Sequence, residues 1–235
     1  MRLTTRLALL LCLALVLPAC GDDDGDGPSG PTARFTVNPG TDFFSQPFPS
    51  DLRRPGDLGI DLTGFPEGEI LVQKMVNAAA SFSEGFAVGG AVFFSFSAPV
   101  DPSSLPADGE ESFAADASVY LVDVDPDSPA YGERVPLWIR FEEGASRFLP
   151  ANWLGLLPYP GVPLRPGTTY AAVITDQVLA DDGLPFARDT DFAHLMNGTG
   201  NATVAAARAV FQPLLDYLDA EAVPRESVVN ATVFT

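Results

Sequence analysis

The residues that could do chemistry in this chain are few, and they do not form a recognised catalytic pattern. The sequence contains one histidine, His194, and two cysteines, Cys12 and Cys20. A hydrolase of the α/β type needs a G-x-S-x-G nucleophile elbow followed by an aspartate and a histidine, and the sequence has no such elbow. Phosphate loops of the G-x-x-x-x-G-K type and dinucleotide fingerprints are also missing. The apolar neighbours of His194 favour a surface or capping role, so we predict that these 235 residues are not an enzyme.

Carboxylates are abundant, with 31 aspartate and glutamate side chains. Asp123, Asp125 and Asp127 alternate within one predicted turn, a spacing that oxygen-liganded cations such as calcium favour. The twelfth position of such a loop is Arg134 instead of the glutamate that calcium loops require, so a solvated turn at a strand end is the favoured interpretation. Zinc has too few His and Cys side chains here. We therefore predict no cofactor and no metal, with these three aspartates as the candidate calcium ligands.

Three aromatic residues, Trp138, Trp153 and Tyr159, are candidates for contact with a ligand. Aromatic rings with a polar edge can form a platform on which sugar rings stack, as a carbohydrate-binding module needs. The competing interpretation is that the three rings fill the contact between the predicted strands and the aromatic segment at residues 43–82. We favour this structural role and keep the glycan platform as the alternative.

The N-terminal segment has the order of a secretory signal. Two arginines precede an uncharged apolar run at residues 7–16, which is shorter than the roughly 20 residues that a membrane-spanning helix needs. The run ends in LPAC at residues 17–20, which resembles the lipobox of bacterial lipoproteins. The resemblance implies that residues 1–19 are removed as a signal peptide and that Cys20 is acylated as the first residue of the mature chain.

The cysteine count supports lipidation. Cys12 lies in the segment that is predicted to be removed, so the mature chain keeps only Cys20 and cannot form an internal disulfide. Acylation removes the free thiol, and several acyl chains hold a protein at a membrane far more firmly than one. An ordinary cleaved signal peptide is the alternative. Because Gly21 and not aspartate follows Cys20, the resemblance to enteric lipoproteins implies that the protein is exported and anchored at the outer membrane.

The charge excludes several classes of partner. The formal charge is −18, and removal of the two signal-peptide arginines lowers it to −20. Such an acidic surface repels nucleic-acid phosphates and anionic lipid headgroups, so we predict no nucleic-acid binding and membrane attachment only through the acylated Cys20. Apolar residues make up 46% of the chain, which indicates a packed core, while 22 prolines and 21 glycines indicate many turns and short strands.

The chain divides into a tether, an aromatic segment and a β-rich part. Residues 20–34 are rich in Gly, Asp and Pro without large apolar side chains, which predicts a flexible acidic tether. Residues 35–88 combine closely spaced prolines with many phenylalanines, which predicts an extended segment packed on the β-rich part. Within it, residues 67–82 have helical apolar spacing, and we predict that this stripe faces the core. The stripe consists of Ile70, Leu71, Met75, Val76, Ala79 and Ala80.

From residue 89 onward the apolar period changes to two, which predicts short β-strands separated by turns that contain Pro, Asp and Gly. The predicted strands lie at residues 92–97, 117–124, 137–142, 170–175 and 228–235. Helical spacing returns near residues 202–222, and Pro213 is predicted to kink or restart that helix. The pattern predicts a mainly β fold, a β-sandwich with a helical insertion before the last strand.

Two family resemblances sharpen this prediction. QPFPSDL at residues 46–52 resembles the opening of the N-terminal region of bacterial extracellular lipases of the virulence-factor type, which precedes the catalytic domain in that family. Three further blocks are similar to the bacterial Ig-like domain of surface-layer and adhesive proteins, which implies an Ig-like β-sandwich over residues 89–235. These blocks are FSAPVDPSSL at residues 96–105, LRPGTTY at residues 164–170 and VLADDGLP at residues 178–185.

Together these observations predict a lipid-anchored, non-catalytic envelope module, the N-terminal part of a lipase-like surface lipoprotein that positions a downstream hydrolase domain. In the lipase family a strand like the one at residues 228–235 leads directly onward, so we expect a longer protein. One alternative is a self-contained adhesion or carbohydrate-binding lipoprotein with a glycan or protein ligand. Another is an enzyme with two inward-facing carboxylates in a cleft, which no motif in the sequence singles out.

Overall fold

The computed structural model of the protein describes residues 30–56, 58–66 and 68–235. The predicted signal peptide, Cys20 and the tether up to residue 29 lie outside the described residues. Within the described ranges the strands are β1 (Thr32–Ala33), β2 (Val92–Ser95), β3 (Val119–Asp123), β4 (Arg134–Val135), β5 (Leu137–Glu142), β6 (Trp153–Pro158), β7 (Tyr170–Thr175), β8 (Ala187–Arg188) and β9 (Val228–Phe234). The helices are α1 (Ile70–Phe82), α2 (Gly109–Phe113), α3 (Thr190–Asn197), α4 (Ala202–Val210) and α5 (Gln212–Ala220). The fold is therefore mainly β with additional helices, which confirms that part of the prediction. None of the described helices is both long enough and apolar enough to span a membrane.

Two antiparallel sheets form the centre of the molecule. One has the strand order β2-β6-β5 and the other β4-β3-β7-β9. Side chains from both sheets share one apolar core, in which Phe94 and Leu156 of the first sheet belong to the same cluster as Leu121 and Ile174 of the second. Strands of this length cannot bury enough apolar surface alone, so each sheet depends on the layer that packs against it.

The four-stranded sheet is buried on both faces. All six residues of β7 are buried, including Ala171 and Val173 on the face that points away from the first sheet. That second face packs against α3, α4 and α5 in a separate core cluster that contains Phe211 and Leu214. Alternate residues of β7 therefore point to opposite faces of the sheet, and both faces pack against apolar side chains.

The helical insertion near residues 202–222 is divided at Phe211. This residue ends α4 and begins α5, and Pro213 lies in the first turn of α5, where its missing N–H has no helical partner to lose. The helix thus ends and restarts next to Pro213, as predicted. α3 was not predicted, although Asp189 caps its first turn and Gly198 ends it at φ 70°. These two residues are the local signals that could have revealed it.

The segment at residues 35–88 crosses the edge of the first sheet. Phe48 exchanges two backbone hydrogen bonds with Phe93 of β2, at 3.1 and 2.6 Å, and so extends that sheet by one short bridge. Phe43 and Phe44 are buried beside it, and the rings of Phe43 and Phe65 meet at 5.1 Å between centroids. These three aromatic side chains therefore have a packed position although the backbone around them is largely irregular.

α1 departs from the prediction. The apolar stripe was expected to face the core, but Ile70, Leu71 and Met75 are 75%, 67% and 64% exposed. Val76 and Ala79 are half-buried. The prediction was wrong because helical spacing identifies an apolar face but does not say which layer covers it.

Candidate functional site

The residues of the QPFPSDL motif hold the last strand in place. The carbonyl oxygen of Pro49 accepts a hydrogen bond from Thr232 Oγ1 at 2.6 Å. The Asp51 carboxylate accepts two more from Thr235, from its backbone N–H at 3.2 Å and from its Oγ1 at 2.8 Å. The carbonyl oxygen of Thr235 accepts from the backbone N–H of Phe86 at 3.3 Å. We call this set of contacts the strand clamp, and it fixes the end of β9 to the aromatic segment.

The aspartate of the clamp is positioned by its own neighbours. Ser50 caps the short 3-10 turn at Asp51–Arg53 by accepting a hydrogen bond from the backbone N–H of Leu52. Arg53 is buried and donates to the carbonyl oxygens of Phe43 at 2.8 Å and Asp61 at 3.2 Å, with its guanidinium 4.1 Å from the centroid of the Phe43 ring. Burial lowers the pKa of Arg53, and the nearby Asp61 carboxylate opposes that shift. Arginine nevertheless stays protonated, so Arg53 keeps its hydrogen bonds to the carbonyl oxygens of Phe43 and Asp61 at any ordinary pH.

The three aspartates named as candidate calcium ligands are engaged in hydrogen bonds at their own turn. Asp123 accepts hydrogen bonds from the backbone N–H of Asp125 at 3.0 Å and from Ser128 Oγ at 2.5 Å, while Asp125 accepts from Asp127 and Thr169. Among the described residues, no group of three or more His, Cys, Asp or Glu side chains is placed to hold a metal ion. Asp125 links the turn after β3 to the strand clamp, because it accepts from the backbone N–H of Thr169, whose Oγ1 lies 3.0 Å from Thr235 Oγ1.

His194 lies in the last turn of α3. Its ring Nδ1 lies 2.8 Å from Thr199 Oγ1, and its backbone carbonyl accepts from the N–H groups of Gly198 and Thr199. The prediction was a surface or capping role, and the ring contact with Thr199 beside the left-handed Gly198 is of the capping kind. The side chain therefore has a local structural partner at the end of its helix.

The three candidate aromatic residues lie along the outward face of the sheet β2-β6-β5. Trp138 on β5 is 59% exposed, and Tyr159, directly after β6, is 49% exposed. Trp138 pairs with Leu157, and the backbone N–H of Tyr159 donates to Pro136 at 2.9 Å, so the two residues occupy diagonal positions on one face. The Tyr159 ring lies beside Gly109 of α2. The predicted contact with the aromatic segment is wrong for these two residues.

Trp153 behaves differently from the other two. It is half-buried, and its ring lies 5.8 Å from the Phe93 ring, which in turn contacts Phe44. An added Cβ at Gly155 would lie 2.9 Å from the Trp153 ring, so the glycine leaves room for the indole to lie over β6. Trp153 thus packs on Phe93 of the neighbouring strand β2, and it is Phe93 that contacts the aromatic segment.

An apolar groove lies beneath α1 and has a volume of about 450 Å³. Its helix side is formed by Val72, Met75, Val76 and Ala79, and its floor includes Phe48 and Phe65. The helix is held at both ends. Near its start, the Glu69 carboxylate pairs with Arg147 at 3.0 Å, and near its end the backbone N–H of Gly59 donates to the Ser83 carbonyl at 2.8 Å. The groove is therefore open beneath a helix whose start has an exposed ion pair and whose end has a backbone hydrogen bond to a neighbouring segment.

No family model matches this chain, and neither does any curated protein. Among solved structures, the chain is similar to the N-terminal part of the bacterial S-layer protein SbsC, with 15% identity and a TM-score of 0.27 over 42% of this chain and 18% of that one. It is similar in the same degree to surface layer protein SbsC, domains 1–6, with 15% identity and a TM-score of 0.27 over 43% of this chain and 11% of that one. Each alignment spans less than a fifth of the SbsC chain, and similarity at this level carries no argument about function.

Proposed function

We propose that this chain is a lipid-anchored, non-catalytic module of the bacterial cell envelope that holds a downstream hydrolase domain in a defined position. Cys20 carries the lipid, residues 20–34 form the tether, and residues 89–235 form an Ig-like β-sandwich that is braced by the segment at residues 35–88. The protein is exported, and the outer membrane is its location.

The strand clamp is the observation that carries this proposal. Thr235 is bonded through its N–H, its hydroxyl and its carbonyl to Asp51 and Phe86, which lie 184 and 149 positions earlier in the chain. A domain joined at Thr235 therefore leaves from a fixed point and a fixed direction. If the next domain were joined only by a flexible linker, the end of β9 would not need to be held by the motif at residues 46–52.

The anchor is tested by replacing Cys20 with serine and labelling cells with radioactive palmitate. The wild-type protein should carry the label and sediment with envelopes, and Cys20→Ser should do neither. Cys12→Ser is the matched control, because it alters the other cysteine in the predicted signal peptide and should leave labelling unchanged. Label that persists in Cys20→Ser contradicts lipidation at this residue.

The positioning role is tested on the complete reading frame. It should encode a G-x-S-x-G motif after Thr235, and Asp51→Ala should loosen the hydrolase domain without removing its active site. The measurement is the distribution of distances between spin labels on the two domains, which should broaden in Asp51→Ala. Asp42→Ala, an exposed acid in the same segment, is the control. A reading frame without a hydrolase domain overturns the proposal.

A second candidate function is glycan binding by the outward face of the sheet β2-β6-β5. The observation that favours it is the exposure of Trp138 and Tyr159 as neighbours on one face. Stacking on such rings contributes about 0.5–1.5 kcal/mol for each aromatic contact. Binding on a glycan array should therefore fall about two- to tenfold in Trp138→Ala or Tyr159→Ala. Leu184→Ala removes a similarly exposed apolar side chain from a separate turn and should change nothing. An array without any bound glycan excludes this function.

A further inference from the structure

We propose that the apolar groove beneath α1 binds one long hydrocarbon chain with an anionic head, as in a fatty acid. The chain lies along the groove, and the carboxylate lies at Arg147. This inference goes beyond the proposed function and does not depend on it, because the ligand is not covalently attached to the protein.

The lining of the groove defines the chemistry of its occupant. The volume of about 450 Å³ falls in the range of about 300–1,000 Å³ that is usual for small-molecule sites. All eight residues that line the groove have apolar side chains, among them Phe65 and Phe148. A peptide would carry backbone N–H and C=O groups into this groove, where they lose their hydrogen bonds to water. A hydrocarbon chain has no such groups, and each methylene that it buries adds to its affinity.

Both walls of the groove are present without an occupant. On the helix side, Val72 and Val76 are half-buried one turn apart, and Met75 lies at the rim with 64% exposure. On the floor, the Phe65 ring lies 5.1 Å from the ring of the buried Phe43, measured between centroids. A ligand therefore does not have to order these walls when it binds, which lowers the entropic cost.

The apolar surface of α1 is confined to one flank. Leu71 and Met75 lie one turn apart on this flank and are 67% and 64% exposed. The opposite side of the helix has the exposed polar residues Lys74, Asn77 and Ser81. An occupant of the groove therefore covers apolar surface that otherwise lies in water.

Arg147 provides a cation at one end of the groove. Its guanidinium lies 5.3 Å from the centroid of the Phe148 ring, which is part of the lining. The guanidinium fits against Gly68, where an added Cβ would lie 2.7 Å from one of its nitrogens. It pairs with Glu69 at 3.0 Å, but both side chains are more than half exposed, and such pairs are weak. Because an arginine presents five N–H donors, a ligand carboxylate can share it with Glu69.

Charge and size argue against a second copy of this chain as the occupant. Two copies, each with a formal charge of −18, repel one another. A groove of about 450 Å³ is also small for an interface between two free proteins. A single ligand chain meets neither difficulty.

The first test measures the binding of oleate, below its micelle concentration, to the Cys20→Ser protein by titration calorimetry. Binding should be saturable. Met75→Glu places a carboxylate at the rim and should weaken binding about tenfold or more. Asn77→Glu adds the same charge on the polar side of α1 and should change the affinity by less than about twofold. Met75→Leu keeps the rim apolar and should retain binding.

A second measurement does not depend on any change in the groove. Saturating oleate should slow hydrogen exchange in α1 and leave exchange in α4 and α5 unchanged, because only α1 borders the groove. The melting temperature of each variant separates loss of binding from loss of folding.

The role of Arg147 is tested with oleyl alcohol, which has the same chain without the carboxylate. Oleate should bind about two- to fivefold more tightly than the alcohol, and Arg147→Gln should remove this difference by weakening oleate alone. Arg140→Gln is the matched control, because it breaks another exposed ion pair, with Glu142 on β5, and should leave both affinities unchanged.

Several outcomes would overturn the inference. Oleate binding that Met75→Glu leaves unchanged places the ligand elsewhere. Absence of oleate binding, together with binding to phosphatidylcholine vesicles, identifies the bilayer surface as the occupant. Protection of α1 that rises with protein concentration in the absence of oleate identifies a second copy. None of these results bears on palmitate labelling at Cys20, so the proposed function is tested separately.

Discussion

α1 and the pair α4–α5 have apolar residues at the same helical spacing, but these residues are largely exposed in α1 and buried in α4 and α5. In α4 and α5 the apolar residues lie against the four-stranded sheet, and Val204, Leu214 and Leu218 are all buried. In α1 the corresponding stripe lies over an open groove, and Met75 is 64% exposed. The helices differ less in sequence than in what faces them.

The difference shows where the stability of each helix originates. α4 and α5 cover an apolar face of the sheet. The apolar side chains of these helices and those on this face of β7 therefore bury one another in a single cluster. α1 has no sheet beneath it and is held mainly by contacts at its termini, through Arg147, Arg54 and Gly59. Terminal contacts position a helix but bury little apolar surface, so Leu71 and Met75 of α1 stay exposed.

The largest expected effect tests the buried side of this comparison. Phe211, at the junction of α4 and α5, is fully buried, and its ring lies 5.8 Å from Phe35 and 6.4 Å from Phe192. Phe211→Ala should lower the free energy of unfolding by about 3–5 kcal/mol, because it leaves a cavity between helices and sheet. Urea denaturation with an unchanged m-value measures this loss. A loss below about 1 kcal/mol would mean that the helices pack on the sheet more loosely than described.

A smaller effect tests the terminal contacts of α1. Gly59→Ala combines a left-handed backbone, at φ 89°, with a Cβ that lies 2.4 Å from the Ala80 carbonyl oxygen. Gly161 is the matched control, because it has φ 94° and no atom within 4 Å of an added Cβ. The left-handed conformation alone costs about 1–2 kcal/mol. Gly59→Ala should exceed that cost and also speed hydrogen exchange in the last turn of α1, whereas Gly161→Ala should leave that turn unaffected. Equal losses in both variants, without faster exchange, would refute the end contact.

The sequence predicted local structure well and partners poorly. Pro213 predicted the break between α4 and α5, because a missing N–H has only local consequences. The contact between Asp51 and Thr235 joins residues 184 positions apart, and no local pattern in either segment indicates it. Trp138 and Trp153 lie in similar alternating runs, yet one is exposed and the other packs on Phe93, because only Trp153 has an aromatic ring beside it on the adjacent strand. Burial on the second face of β7 likewise depends on helices that begin about twenty residues later.

The smallest expected effect tests the exposed side of the comparison. In the chain that ends at Thr235, Met75→Ala should change the free energy of unfolding by less than about 0.5 kcal/mol, because the side chain is 64% exposed. Leu214→Ala on α5 is the matched truncation, and it should cost about 2–5 kcal/mol because Leu214 is fully buried. Thermal unfolding followed by circular dichroism separates the two, since about 1 kcal/mol shifts the melting temperature of a domain of this size by about 2–4 °C. A loss above about 1.5 kcal/mol in Met75→Ala would show that α1 packs on the groove floor, and the contrast between α1 and α4–α5 would then disappear.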